Sequence, residues 1–388
     1  MTAVKTNPKN DRVKRDYLIW LKEAKQRSPK TAEQARHAID RLEIYTGFKD
    51  FGTFNKDQAL AFKRAMLAMK GQRSGKAISI STVHHTLQAV KDFLVWLHGR
   101  QEYRNRIKTA DIQYLNLTTG EERQAHTIRP RTYATIEQYS AALLAMPSVT
   151  AIERRDRAVM ALLLLTGMRD AALVSLKIKH LSLERNYVFQ DPRQVATKFS
   201  KPIETFFFPV GDNVVAMVRD WVTYLTRDKL FGGEDPLFPK TLNGQDENRS
   251  FVAVGLSHEH WADATAVRKI FRAAYTRAGL PYFPPHTVRN TLTQLAYKLN
   301  LTPEQLKAWS QNMGHDQPLT TLTSYGHVST ERQGEIIGGL GQATHPAPNS
   351  HDMAEKIAEI HAMLKEREGS AMPLRGRGEP FNNRWENA

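Results

Sequence analysis

At 388 residues the chain outgrows the roughly 250–300 residues that a single hydrophobic core usually organises, so two domains are expected. Its 55 Lys and Arg against 40 Asp and Glu leave a formal charge of +15, which favours a polyanionic partner, with DNA, RNA and anionic membrane all qualifying. The absence of cysteine excludes disulfides, thiolate zinc sites and cysteine nucleophiles. The apolar run Met160–Thr166 is far short of the roughly 20 residues of a membrane span, and Met1–Asp11 lacks a signal-peptide core, so a cytoplasmic protein is expected.

The charge is uneven. Met1–Pro130 holds 25 Lys and Arg against 13 Asp and Glu, a net +12, which makes this part the stronger binder of a phosphate backbone. A basic arm over residues 1–15 precedes a helical pattern over 16–101. Tyr17, Trp20 and Leu21 recur at helix spacing, as do Ala35, Ala38, Ile39, Leu42 and Tyr45, with Ser28-Pro29 and Thr46-Gly47 as breaks. Ala59–Met69 and Thr82–Leu97 read as two further helices. A solvated basic surface on an ordinary helical bundle is the plain alternative to a DNA clamp.

Over residues 102–131 the apolar period lapses into a polar, basic stretch, and a linker is expected there. Helical patterns resume at Ala134–Met146 and at Arg154–Thr166, opening a second domain over 132–330. Two weak motifs are set aside. Gly71–Ala77 is one residue short of a phosphate-binding loop and has Ala77 where a hydroxyl is needed. His258-Glu259-His260 places two histidines off a common helix face with no helical His-Glu-x-x-His following, so a surface loop is favoured over a metal site.

The informative residues lie between Thr166 and Tyr325. Thr166-Gly167-Met168-Arg169 ends one apolar helix at a glycine and begins another, presenting the planar fork of Arg169 at the junction. Val188–Gln190 and Ile203–Pro209 read as strands of a hairpin that carries Lys198 and Lys201 between them. In Pro285-His286-Thr287-Val288-Arg289, a helix would place His286 and Arg289 on one face, with Val288, Leu292 and Leu295 on the other. Thr302-Pro303-Glu304-Gln305 is a helix start, and that helix runs to Gly314-His315, ten residues before Tyr325. Singly each has an ordinary explanation: a surface ion pair for Arg169, a solvated turn for Lys198, a capping residue for His286, a core aromatic for Tyr325.

In order, however, Arg169, Lys198, His286-x-x-Arg289, Gly314-His315 and Tyr325 resemble the signature of the tyrosine recombinases and phage-type integrases. The resemblance is specific over Thr132–Ser329 and weak over the helical part, Ser28–Thr31 and Ser79–Trp96. It implies a mainly α fold with a small β-sheet (α+β), a helical core-binding domain plus a tyrosine-recombinase catalytic domain. It also implies the chemistry. Arg169 and Arg289 would clamp the scissile phosphate, Tyr325 would attack it, Lys198 would protonate the leaving 5′-hydroxyl, and His286 and His315 would assist proton movement. No cofactor, metal or ATP is implied, because the 3′-phosphotyrosyl link conserves the bond energy. The partners implied are double-stranded DNA carrying recombination sites, three further copies in a tetramer on two sites, and room for accessory DNA-bending factors, with no membrane and a place in the cytoplasm on the nucleoid.

Two positions depart from the family pattern. Ala172 stands where an acidic residue is usual, with Asp170 nearby on another helix face, and Asn290 stands where a histidine is common. A catalytically silent DNA-binding protein of this fold, and a type IB topoisomerase or resolvase-like activity, are the alternatives. After Tyr325, Gly338–Gly341 and Pro346–Pro348 read as a connector, and Ser350 caps a helix over about 352–368 with Met353, Ile357, Ile360 and Leu364 in one stripe. That stripe either folds back on its own domain or docks on a neighbouring protomer.

Overall fold

Helix starts in this chain are written in short polar side chains. In the computed structural model, which describes residues 6–71, 75–127, 132–197, 200–245, 249–299, 301–315, 328 and 333–337, Asn7 accepts the backbone N–H groups of Lys9 and Asn10 and opens α1 (Pro8–Ile19). Ser28 caps α2 (Pro29–Tyr45), Asn55 caps α3 (Lys56–Ala68) and Ser79 caps α4 (Ile80–His98). By compactness the chain divides into two units, Met1–Arg129 and Pro130–Ala388.

The first unit closes on an aromatic cluster. Tyr17 of α1 meets Phe93 and Trp96 of α4 at ring separations of 5.2 and 5.0 Å, and Ile39, Leu42, Phe62 and Val90 complete the core. A buried polar staple fixes α1 to α2. Asn10 donates to Glu43 Oε1 and to the Lys49 carbonyl, each at 2.9 Å, and its own oxygen accepts Phe51 N–H, so the buried amide is fully used. The Lys14 ammonium lies between Glu43 and Asp40, which saves Glu43 from being an unpaired buried charge.

The expected linker over 102–131 is corrected here. Its described part folds into α5 (Thr109–Gln113) and α6 (Thr119–His126), the latter with a Thr118–Glu121 capping box, and Tyr103, Ile107, Ile112 and Leu115 are each buried to 1% exposure in the first core. Of these apolar residues only Ile112 lies in a helix and the other three sit in the turns around α5, so no single period shows in the sequence.

The second unit is built around α8. Helix α7 (Ile136–Leu144) starts at a Thr135–Gln138 capping box and α8 (Ala151–Thr166) at a Thr150–Glu153 box. Every residue from Ala158 to Thr166 is buried, so α8 is surrounded rather than amphipathic. After the short α9 (Asp170–Leu173), strands β1 (Leu181–Ser182), β2 (Tyr187–Gln190) and β3 (Ile203–Phe206) form an antiparallel sheet in that order, with Tyr187 opposite Phe206 and Gln190 opposite Ile203. Helix α10 (Asp212–Thr223) packs on α8. Beyond it β4 (Pro239–Gln245) and β5 (Phe251–His260) make a separate two-stranded sheet, followed by α11 (Thr265–Arg277), α12 (Val288–Lys298) and α13 (Pro303–Asn312).

His258-Glu259-His260 lies in β5, not in the loop expected. The His258 ring donates to Asp235 at 2.8 Å and the His260 ring to the Val174 carbonyl at 3.1 Å, and among the described residues no cluster of three potential ligands could hold a metal ion. Among the described residues, no helix is long and apolar enough to cross a membrane.

Candidate active site

The site is organised by two glycines in left-handed backbone conformation. Gly167, at φ +56°, ends α8, and its N–H returns to the Leu163 carbonyl at 2.8 Å. The chain then turns out through Met168, so that Arg169 becomes the N-terminal cap residue of α9, half-buried, with its carbonyl accepting Ala172 and Leu173 N–H at 3.0 Å. Gly314, at φ +72°, follows α13 in the same way and lets the chain turn to His315. A Cβ on Gly314 would sit 3.0 Å from two side-chain carbons of Ile203 in β3, so strand and turn are in close contact.

Arg289 joins these two turns. It is only 2% exposed. It donates from Nη1 to the Gly167 carbonyl at 2.6 Å and from Nη2 to the Met313 carbonyl at 2.8 Å, and it also meets His315 Nε2. A guanidinium can only donate, so the ring nitrogen facing it accepts and a neutral His315 carries its proton on Nδ1. Two residues far apart in the sequence, Arg289 and His315, are thereby brought into contact at one corner, and Arg169 follows two residues beyond the carbonyl that Arg289 holds. His286 sits in the 3-10 turn just before α12, exposed, one turn ahead of Arg289. Lys198 and Tyr325 lie outside the described residues.

The departure at Ala172 has a structural reading. Ala172 is 2% exposed and serves as packing between α8 and α9, while the Asp170 carboxylate turns to Arg268 of α11 at 3.7 Å rather than toward Arg289. The buried carbonyls of Gly167 and Met313 orient the guanidinium of Arg289 instead. Asn290 is buried at 7% exposure, on the helix turn next to it.

The hairpin that bears the lysines is anchored at both ends. Ser175, just past α9, accepts Ala196 N–H at 2.9 Å on its hydroxyl, and Val195 N–H returns to the Asp191 carbonyl at 2.7 Å. Asp191 is gripped by Arg193, whose guanidinium and backbone N–H hold that carboxyl at about 2, far below its ordinary value. At the far end Asn312 bonds the edge of β3 through its side-chain amide, and Thr205 Oγ1 donates to the Asn312 carbonyl at 3.1 Å. Sequence reading missed Ser175, Thr205 and Asn312. Each looks like an ordinary helix-end or strand polar residue, and only the tertiary pairing gives it a task.

Residues 133–332 match the Phage integrase family. The chain is 29% identical over 205 residues to tyrosine recombinase XerD of Vibrio vulnificus (strain YJ016), covering 52% of this chain and 57% of that one, so it spans a little over half the length of that relative. Among solved structures, the XerH site-specific recombinase bound to palindromic difH substrate, a post-cleavage complex, superposes with a TM-score of 0.55 at 15% identity over 83% of each chain. A lambda integrase dimer bound to a COC′ core site gives a TM-score of 0.53 at 14% identity, over 81% of this chain and 76% of that one. At these identities the two structures establish the fold, which is the mainly α architecture with small sheets expected from the sequence.

Proposed function

The chain belongs to the phage integrase family, and from that premise we propose that it is a site-specific DNA recombinase that cuts and rejoins strands through Tyr325. The observation that carries the reading is that Arg289 meets His315 and bonds the carbonyl of Gly167, two residues before Arg169. The Arg289 guanidinium held against His315, with Arg169 two residues beyond the carbonyl it bonds, suits a phosphodiester whose non-bridging oxygens gain charge as it is attacked. In the reaction, Tyr325 Oη bonds to phosphorus, the P–O5′ bond breaks, and the tyrosine proton leaves through His286, while His315 hydrogen-bonds the phosphate from Nδ1–H. Lys198 delivers a proton to O5′. The 3′-phosphotyrosyl ester keeps the energy of the broken bond, so a 5′-hydroxyl from another strand reverses the step without ATP, and the arginines supply the positive charge that a metal would otherwise bring.

The first unit supplies the hold on double-stranded DNA. Its net +12 supports this, as does a groove lined by Lys25, Arg27, His37, Arg41 and His85 beside Trp20 and Trp96. Four copies assemble on two sites, with Met353, Ile357, Ile360 and Leu364, which lie outside the described residues, docking on a neighbouring copy, accessory DNA-bending factors joining where a site needs them, and the reaction proceeding on the nucleoid in the cytoplasm. A chain ending at Gly341 then still cleaves weakly but loses synapsis of paired sites. Full recombination by that chain at wild-type concentration removes the docking role.

The test is a nicked suicide substrate in EDTA. Wild type accumulates a covalent protein–DNA adduct, and Tyr325→Phe binds the DNA equally but forms none. Binding without any wild-type adduct would leave a silent DNA-binding protein, and cleavage that requires magnesium would point to a metal-dependent nuclease.

A further inference from the structure

Strand β3 is an edge. In the order β1-β2-β3 its outer side has no strand partner among the described residues, and Phe206, opposite Tyr187 on the inner side, turns both its N–H and its carbonyl outward. Asn312 occupies that edge as a short stretch of backbone would. Its Oδ1 accepts Phe206 N–H at 2.7 Å and its Nδ2 donates to the Phe206 carbonyl at 2.8 Å. Its own carbonyl, one of the orphan acceptors at the end of α13, takes the Thr205 hydroxyl at 3.1 Å, and that hydroxyl in turn accepts from Gln190 of β2 at 3.2 Å. Asn312 is followed directly by Met313, whose carbonyl holds Arg289, by Gly314, which packs on Ile203, and by His315.

We infer that Asn312 is a positioning residue that locks the lysine-bearing hairpin in register with the Arg289–His315 corner. This rests on the strand-transfer reading above. The side-chain amide bonds the outer edge of β3 on both its donor and its acceptor, and its backbone neighbours are the residues that fix Arg289 and His315. A shift of β3 along α13 therefore moves the strand into which the Lys198–Lys201 segment leads relative to the arginine corner. Asparagine serves here because its planar amide carries a donor and an acceptor at the spacing of a peptide group. Aspartate would accept from Phe206 N–H but set a carboxylate against the Phe206 carbonyl.

The register matters for one proton, the one placed on the leaving O5′, which gives the inference its own readout. A substrate with sulfur in place of the bridging 5′ oxygen breaks its P–S bond and releases a thiolate that needs no proton. On the ordinary substrate, Asn312→Ala and Asn312→Asp should slow adduct formation by about tenfold to a hundredfold, the scale of a misplaced catalytic group. Lys198→Ala should slow it by about a hundredfold or more. On the bridging-sulfur substrate, all three should return to within about threefold of wild type, because the step they impair has been removed. DNA affinity and the thermal midpoint, measured alongside, separate this from simple unfolding, which sulfur cannot rescue.

Rescue of Lys198→Ala without rescue of either Asn312 variant overturns the inference while leaving the strand-transfer reading intact. Undiminished cleavage by Asn312→Ala on the ordinary substrate overturns it too. An absence of adduct with wild type on both substrates overturns the strand-transfer reading, and this inference falls with it.

Discussion

Replacing Gly167 by alanine tests whether the turn that presents Arg169 is fixed by backbone conformation and by packing together. At φ +56° an L-residue in the left-handed region costs about 1–2 kcal/mol. The added Cβ would stand 2.8 Å from Leu292 Cδ1 and 3.7 Å from Phe208 Cε2, and Leu292 is fully buried, with no solvent side to retreat to. Forcing a methyl into such a place costs a further ~1–3 kcal/mol. Gly279, just past α11, is the internal control: it lies at φ +67° with nothing within 4 Å of the place a methyl would take, so Gly279→Ala carries only the conformational cost. Gly167→Ala should thus be the less stable variant by about 1–3 kcal/mol, or very roughly 2–10 °C in the unfolding midpoint for a unit of this size. Hydrogen exchange of the α12 backbone, which packs on this turn, reads the second unit separately from the first. Equal destabilisation by the two substitutions would refute the packing argument.

Arg289→Lys keeps the charge but loses the fork that reaches the Gly167 and Met313 carbonyls together, so DNA affinity should stay within about threefold while adduct formation drops about a hundredfold or more. Cleavage at about half the wild-type rate would show that charge alone suffices. In the first unit His84 of α4 faces His126 of α6 at a ring separation of 4.9 Å, with His85, Lys91 and Glu122 around it. Burial first, then His126 and His85, hold it below the ordinary imidazole value. Such a group takes up a proton more readily in the unfolded chain, so its contribution to stability is present above the ordinary imidazole value of about 6.5 and is lost as the pH falls below it through the lowered folded value. Stability of the first unit should therefore decline as the pH falls below about 6.5, and His84→Gln should flatten the decline; an unchanged slope in the variant would remove His84 from the explanation.

What the sequence displays most clearly is local. The Thr302–Gln305 capping box, the Thr150–Glu153 box and the glycine after Thr166 all stand where helices begin or end, because each is satisfied within a turn of its own position. Arg169, Arg289 and His315 can be named from order and setting, and the fold puts Arg289 in contact with His315 and with the carbonyl of Gly167, two residues before Arg169. The stretch from Glu102 to Thr127 is unreadable as part of the first core, since Tyr103, Ile107, Ile112 and Leu115 sit among polar and charged residues and only Ile112 falls in a helix, the others in turns. His258 and His260 hide a strand for a related reason. A two-stranded sheet with much of both faces in solvent has no need of apolar alternation, so β5 carries polar residues on both sides. Asn312 and Ser175 act across the fold, on Phe206 and Ala196, and no spacing rule within the sequence connects those pairs.

The central claim is that one tyrosine becomes joined to DNA, and the chain permits a direct reading of which one. Cleavage after Lys307 and Arg332 by trypsin releases a peptide, Ala308–Arg332, in which Tyr325 is the only tyrosine. Wild-type protein trapped on a nicked substrate, digested with trypsin and nuclease, should yield this peptide with a nucleotide attached through a 3′-phosphate on Tyr325. A nucleotide found on any other peptide, or attached through a 5′-phosphate, would contradict the account.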